Sequence, residues 1–222
     1  MNRYGSLAVL VVAGLLSACG DKTVQQLTQA PLASARVRFF NFGVNAPGVN
    51  FYADETKMSA VVSTTGTEAT TGIGYGGVSA GGAYAAIAPG QHSLAGKIAA
   101  TTDKDLAIST VNATIGDGKY YSYYQSGFYN TTTKTVDAFV VEDPFTTPTD
   151  LGTATVRFVH AISNANPMTL FAKSTVSGAE VPIGGEVAYK NAGSFVTIPA
   201  GSYDLSTRYT GATTNAMSRT GV

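Results

Sequence analysis

Ala35-Arg36-Val37-Arg38-Phe39-Phe40 returns later in the chain as Ala154-Thr155-Val156-Arg157-Phe158-Val159. In the first stretch Val37 and Phe39 alternate with Arg36 and Arg38; in the second, Val156 and Phe158 alternate with Thr155 and Arg157. A period of two, apolar then polar, is the mark of a strand with one buried face. The echo runs on without a gap: Asn45-Ala46 against Asn164-Ala165, and Phe51-Tyr52-Ala53 against Leu170-Phe171-Ala172. Further along, Tyr84-Ala85-Ala86-Ile87-Ala88-Pro89-Gly90 parallels Phe195-Val196-Thr197-Ile198-Pro199-Ala200-Gly201, after which Leu94 answers Leu205 and Lys97 answers Arg208. Self-similarity of this kind predicts two copies of one domain, residues 35–143 and 154–222, joined by the Pro/Thr-rich linker 144–153.

Short alternating runs fill the rest of each copy, separated by Gly, Pro, Asn and Asp at 45–48, 88–90 and 116–118, the residues that supply turn geometry. No stretch downstream of residue 34 carries a capped helical period. The expected fold is all-β: two tandem Ig-like antiparallel β-sandwiches. The second is incomplete at its C-terminus. After Lys97 the first copy continues through strand-like runs at 106–115, 119–128 and 135–142, whereas the second reaches Val222 soon after Arg208. Two readings stay open: a truncated product, or a copy completed by strands from another chain.

The pattern A-R-V-R-F-F-x-x-x-x-N-A-P-x-V-x-F-Y, followed by an apolar residue before A-P-G or P-A-G, resembles a family of exported bacterial domains known only as domain of unknown function 4397. The resemblance covers roughly residues 35–209. It implies an Ig-like sandwich, tandem occurrence behind export or lipoprotein signals, and no established activity. The family's His-Ala after the first strand is kept as His160-Ala161, but the first copy has Asn41-Phe42 there.

Upstream, Met1-Asn2-Arg3 is a short positive segment, and residues 7–16 (LAVLVVAGLL) are apolar throughout. That run is too short to cross a bilayer core of roughly 30 Å as a helix. Leu16-Ser17-Ala18-Cys19 follows at once and resembles a lipobox, with small residues before the cut and a thiol to carry diacylglycerol. Residues 1–18 are therefore read as a lipoprotein signal peptide and 19–34 as a lipid-anchored flexible tether reaching roughly 20 Å. Resemblance to lipoproteins implies a third acyl chain in a Gram-negative envelope. It also implies the outer membrane, since Gly20 rather than Asp follows Cys19, with the protein facing the periplasm or the cell surface.

Composition narrows the function classes. The 222 residues include 25 Gly, carry 13% charged residues and have zero formal net charge. A nucleic-acid partner is not expected, because no basic stripe is present to compete for phosphates. With Cys19 the only cysteine and His92 and His160 the only histidines, neither an internal disulfide nor a metal centre is expected. No cofactor is expected either.

Several motifs resemble active-site signatures. Gly77-Val78-Ser79-Ala80-Gly81 matches the G-x-S-x-G elbow of hydrolases, which requires a strand before and a helix after; with Gly82 next and a strand-like run from Tyr84, a sandwich turn is the better reading. Gly72-Ile73-Gly74-Tyr75-Gly76-Gly77 matches G-x-G-x-x-G without the βαβ context that gives the pattern meaning. Asp103-Lys104-Asp105 lacks the remaining oxygen ligands of a Ca²⁺ loop and reads as a solvated turn. Asp54-Glu55 and Glu142-Asp143 are isolated pairs at strand ends. His92 stands where the second copy has Tyr203, and His160 reads as a hydrogen-bonded structural residue.

Lys119-Tyr120-Tyr121-Ser122-Tyr123-Tyr124 remains as the candidate binding feature. On a strand, Tyr121 and Tyr123 share one face and Tyr120 and Tyr124 the other. One pair belongs to the core. The second forms either a ligand or interface platform or cross-strand packing beside the linker and the other copy. The expected function is a membrane-anchored, non-catalytic envelope module for structure, adhesion or ligand capture. A carbohydrate-binding accessory using the tyrosine strand is the alternative, and a Ser79 hydrolase ranks last. Expected partners are the membrane, through the lipid, and an envelope protein or glycan.

Overall fold

The computed structural model describes residues 34–146 and 150–222. Cys19 and the Leu16, Ser17, Ala18 motif lie outside the described residues. Ala33–Val222 forms one compact unit, within which strands are the regular element. The first module holds β1 (Ala35–Val44), β2 (Val49–Ala53), β3 (Thr56–Lys57), β4 (Gly77–Val78), β5 (Ala85–Ile87), β6 (Gly90–Ile98), β7 (Ala107–Ile115), β8 (Tyr120–Asn130) and β9 (Thr135–Glu142). The second holds β10 (Thr153–Val156), β11 (Met168–Ser174), β12 (Glu180–Val187), β13 (Val196–Pro199), β14 (Tyr203–Tyr209) and β15 (Met217–Arg219).

In the first module one sheet runs β4-β1-β8-β9, with β5 also on β1, and faces a second sheet, β3-β2-β6-β7. Burial alternates strictly along β1, so Ala35, Val37 and Phe39 are fully buried while Arg36 and Arg38 face outward. Phe39 stacks on Phe51 across the sandwich at 5.1 Å between centroids, and Tyr123 closes the triangle at 5.7 and 5.5 Å. Burying each of these rings contributes about 1.5–3 kcal/mol. The expected antiparallel pairing holds with one exception. β1 and β8 run parallel, Val37 opposite Tyr121 and Phe39 opposite Tyr123, because the chain crosses between sheets before it returns beside its first strand.

A polar thread runs through this core. Tyr123 Oη donates to Ser109 Oγ at 2.8 Å, Ser109 donates to Gln125 Oε1 at 2.7 Å, and Gln125 Nε2 donates to Asn41 Oδ1 at 2.9 Å. Asn41 passes the chain on to the Ile73 carbonyl at 2.7 Å. Gly96 makes room for it, since a Cβ there would stand 2.5 Å from Gln125 Oε1 and 2.7 Å from Ser109 Oγ.

Three of these ladders have counterparts of the same register in the second module. Ala35 faces Ile87 across β1 and β5, and Ala154 faces Ile198 across β10 and β13. Val49–Ala53 pairs with Ile98–Leu94, as Met168–Ala172 pairs with Tyr209–Leu205. The cations follow suit: Lys97 Nζ sits 4.5 Å from the Tyr52 ring centroid, and the Arg208 guanidinium 4.2 Å from that of Phe171. The sequence reading gave the second module, residues 154–222, no counterpart of the three strand-like runs after Lys97, but β15 pairs with β14 as β7 pairs with β6. Met217-Ser218-Arg219 bears no likeness to Ser109-Thr110-Val111, so only backbone pairing exposes the correspondence. Neither β8 nor β9 has a counterpart among the described residues.

Candidate functional site

The outward face of β1, β8 and β9 packs against the second module, and one buried carboxylate organises the contact. Asp143 follows β9, and its side chain is 0% exposed. Tyr84 Oη and Ser122 Oγ each donate to Oδ2 at 2.6 Å. Arg157 Nη2 donates to Oδ1, and Arg157 Nη1 donates to the Glu142 carbonyl at 2.8 Å. Arg38 Nη2 lies 3.8 Å from Oδ2, and its Nε donates to Ser122 Oγ at 2.8 Å. Arg38 and Arg157 hold corresponding places in β1 and just after β10, and each lies over an aromatic ring, Tyr84 at 4.6 Å and Phe195 at 4.7 Å. One carboxylate thus meets the same arginine from both modules. Burial, then the hydrogen bond to Asp143, pushes the Tyr84 phenol far above its usual range; it serves as a fixed donor.

An aromatic layer continues from this cluster. Tyr124 stacks between Phe40 at 4.8 Å and Phe139 at 5.0 Å, with Phe42 alongside. Tyr189 of the second module meets Phe139 edge-on at 6.3 Å and shares a 2.9 Å hydrogen bond with Ser126 Oγ. Tyr120 packs on Tyr84 and Phe145, and Phe145 on Phe195.

This arrangement corrects the tyrosine platform. Tyr121, Tyr123 and Tyr124 are 7%, 0% and 6% exposed, and Tyr120 alone reaches 37%. β8 lies inside its sheet with one face on the core and the other beneath the second module. A sugar ring has no access to the stacked faces, so these residues do not form a glycan platform.

The other candidates are also taken up by the fold. Ser79 is buried, and its hydroxyl accepts the Phe39 N–H at 3.3 Å. The turn Ser79–Gly82 carries left-handed φ at Ala80 and Gly81 and leads into an extended residue, so the helix that a nucleophile elbow needs is replaced by β5. The segment is a turn between strands, as the sequence reading had it. His92 Nδ1 lies 2.7 Å from Asp54 Oδ2 and Nε2 lies 2.8 Å from the Ala88 carbonyl. His160 is fully buried: Nδ1 accepts the Ile162 N–H, and Nε2 donates to the Asn166 carbonyl, both at 3.2 Å. Asp54-Glu55 and Glu142, taken as unpartnered in the sequence, pair with His92, Lys97 and Lys119. Asp103 pairs with Lys134, and Asp105 accepts from Tyr52 Oη at 3.2 Å. Among the described residues no cluster of three or more His, Cys, Asp or Glu could hold a metal ion.

Sequence reasoning missed the Asp143 clamp. A signal was there: Arg38 and Arg157 recur at one position of the echoed segments, and an aromatic residue, Tyr84 or Phe195, recurs at another.

Facing sheets, an aromatic core and a buried cluster joining two modules define a sandwich-type all-β protein. The chain belongs to the family described as Domain of unknown function (DUF4397), whose model matches residues 35–171. That match crosses the 144–153 linker and ends within β11, short of the expected residue 209. No curated protein matches the chain.

Proposed function

We propose that this protein is a lipid-anchored, non-catalytic module of the cell envelope, built from two tandem Ig-like copies of one domain and serving structure, adhesion or ligand capture. The observation that carries the reading is Cys19, the only cysteine of the chain, directly after the apolar run 7–16 and Leu16-Ser17-Ala18. Acyl chains on that thiol and on the new N-terminus contribute about 0.8 kcal/mol per buried CH₂, and two or three chains give durable anchoring. Matching registers in the two modules support the tandem assignment. The non-catalytic assignment is supported by the way Ser79, His92, His160 and Asp143 are each tied to partners inside the fold. Gly20 after the anchor favours the outer membrane.

Labelling with radioactive palmitate in a Gram-negative host tests this reading. Wild type takes up label and fractionates with the outer membrane; Cys19→Ala accumulates as unlabelled precursor. Label that persists in Cys19→Ala, or an unlabelled wild type, overturns it.

A further inference from the structure

β7 is the outer strand of the sheet β3-β2-β6-β7, and among the described residues no strand pairs with its free edge. The first module guards its other edges. β3 and β4 are two residues long and β5 three, and β9 carries Asp137 and Glu142, with Lys134 just before it. Short strands and charge are the usual means of keeping sheets from pairing edge to edge. β7 has neither. Its nine residues, Ala107–Ile115, include no charge, proline or glycine. Ile108, Thr110, Val111, Thr114 and Ile115 are β-branched, the side chains that favour a strand.

The direction of the free backbone groups follows from the ladder. The Asp54 N–H donates to the Ser93 carbonyl at 2.8 Å, so Ser93 turns its backbone toward β2, and its neighbours His92 and Leu94 turn theirs toward β7. Their partners there are Ala113 and Val111. Alternation along the strand then directs the N–H and C=O of Thr110, Asn112 and Thr114 away from β6. The side chains of these three are exposed on the outer face of the sheet, while Val111 and Ala113 are half-buried against the core.

This edge is its own complement. Turned antiparallel about Asn112, Thr110 stands opposite Thr114 of a second copy, Asn112 opposite Asn112 and Val111 opposite Ala113. Outward amides and carbonyls then meet in hydrogen-bonded pairs. Polar side chains meet polar ones on the outer face, and apolar meets apolar on the inner. No charge repels the same edge or selects a different one.

We propose that β7 pairs antiparallel with β7 of a second copy of this chain, joining the two β3-β2-β6-β7 sheets across a two-fold axis at Asn112. Each edge occupies the other, so the contact closes at a dimer. Every residue it uses lies in the first module, between β6 and β8.

The test uses the full chain in detergent micelles, with micelles in excess over protein. Hydrogen exchange at the Thr110, Asn112 and Thr114 amides is expected to slow as protein concentration rises. Opposed residues of a hydrogen-bonded pair have Cα atoms about 5.5 Å apart, within reach of a disulfide. Under mild oxidation Asn112→Cys therefore gives a dimer linked at residue 112, located by mass spectrometry. Thr110→Cys gives no link between the two residues 110, which stand roughly 13 Å apart along the paired strands. Asn112→Lys sets like charges opposite one another. The concentration at half protection then rises at least about tenfold, while the circular dichroism spectrum and unfolding midpoint hold because the side chain is exposed. Exchange that is slow at every concentration overturns the proposal, since the edge is then covered by the chain itself. Exchange that is fast at every concentration also overturns it. So does linkage at residue 110 as efficient as at 112, or an Asn112→Lys dimer as tight as wild type.

Discussion

Removing the Asp143 carboxylate tests whether the buried cluster holds the two modules together. In Asp143→Ala the Arg157 side chain, 7% exposed, keeps its charge but loses its counter-ion. Breaking a buried pair in this way costs about 3–5 kcal/mol. The Tyr84 and Ser122 hydroxyls lose their acceptor as well, at about 1 kcal/mol each where water does not reach. The expected loss is about 5–7 kcal/mol, a large share of a typical 5–15 kcal/mol, and lowers Tm by roughly 10–28 °C. Urea unfolding followed by near-ultraviolet circular dichroism measures it. The double replacement Asp143→Leu with Arg157→Met separates a broken pair from lost packing. Desolvation of both ions is then avoided, and the variant recovers most of the loss. An Asp143→Ala midpoint within about 1 kcal/mol of wild type refutes the reasoning. So does a double variant as unstable as the single.

Gly96→Ala places a methyl group 2.5 Å from Gln125 Oε1, so the Tyr123-Ser109-Gln125-Asn41 thread must shift. A loss of about 1–3 kcal/mol of stability by urea unfolding is expected, with a weaker near-ultraviolet circular dichroism signal from the tyrosines. The pH profile follows from exposed pairs. The Ser93 N–H and His92 hold Asp54 below the usual carboxylate range, and hydrogen bonds from Lys57 and Arg208 do the same for Glu68 and Glu180. Their contribution is present above the unfolded carboxylate pKa, about 4, and is lost as pH falls through the lower folded values. Lys57, Lys119 and Lys134 are raised by Glu68, Glu142 and Asp103, so theirs is lost as pH rises through the raised folded values. Urea midpoints against pH should show a plateau between about 5 and 10, with shoulders that shrink in high salt.

Much of the strand plan is legible in local pattern. The alternation of Val37 and Phe39 with Arg36 and Arg38 declares its buried face, because side chains on a strand point to opposite sides in turn. The echo of residues 35–53 and 84–97 in 154–172 and 195–208 carries the same ladders in both modules. β8 was harder to read. The same rule sets Tyr121 and Tyr123 on one face and Tyr120 and Tyr124 on the other, but which pair is core, and the fate of the second, depends on what covers each face. The cover is Phe40, Phe139 and Tyr189, drawn from residues far from it in the chain. Likewise Glu142-Asp143 looks like a solvated strand end, since nothing local shows that two arginines from distant strands converge there.

The sequence by itself determined the two-residue period of the strands, the echo of 35–53 and 84–97 in 154–172 and 195–208, and the placement of Cys19 behind an apolar run. These are properties of neighbours along the chain, set by backbone geometry and by short motifs. Only the tertiary structure decided the parallel union of β1 with β8, the burial of three of the four tyrosines and the Asp143 clamp. Each depends on which surface meets which, and burial against a distant partner is where desolvation and pairing outweigh local preference.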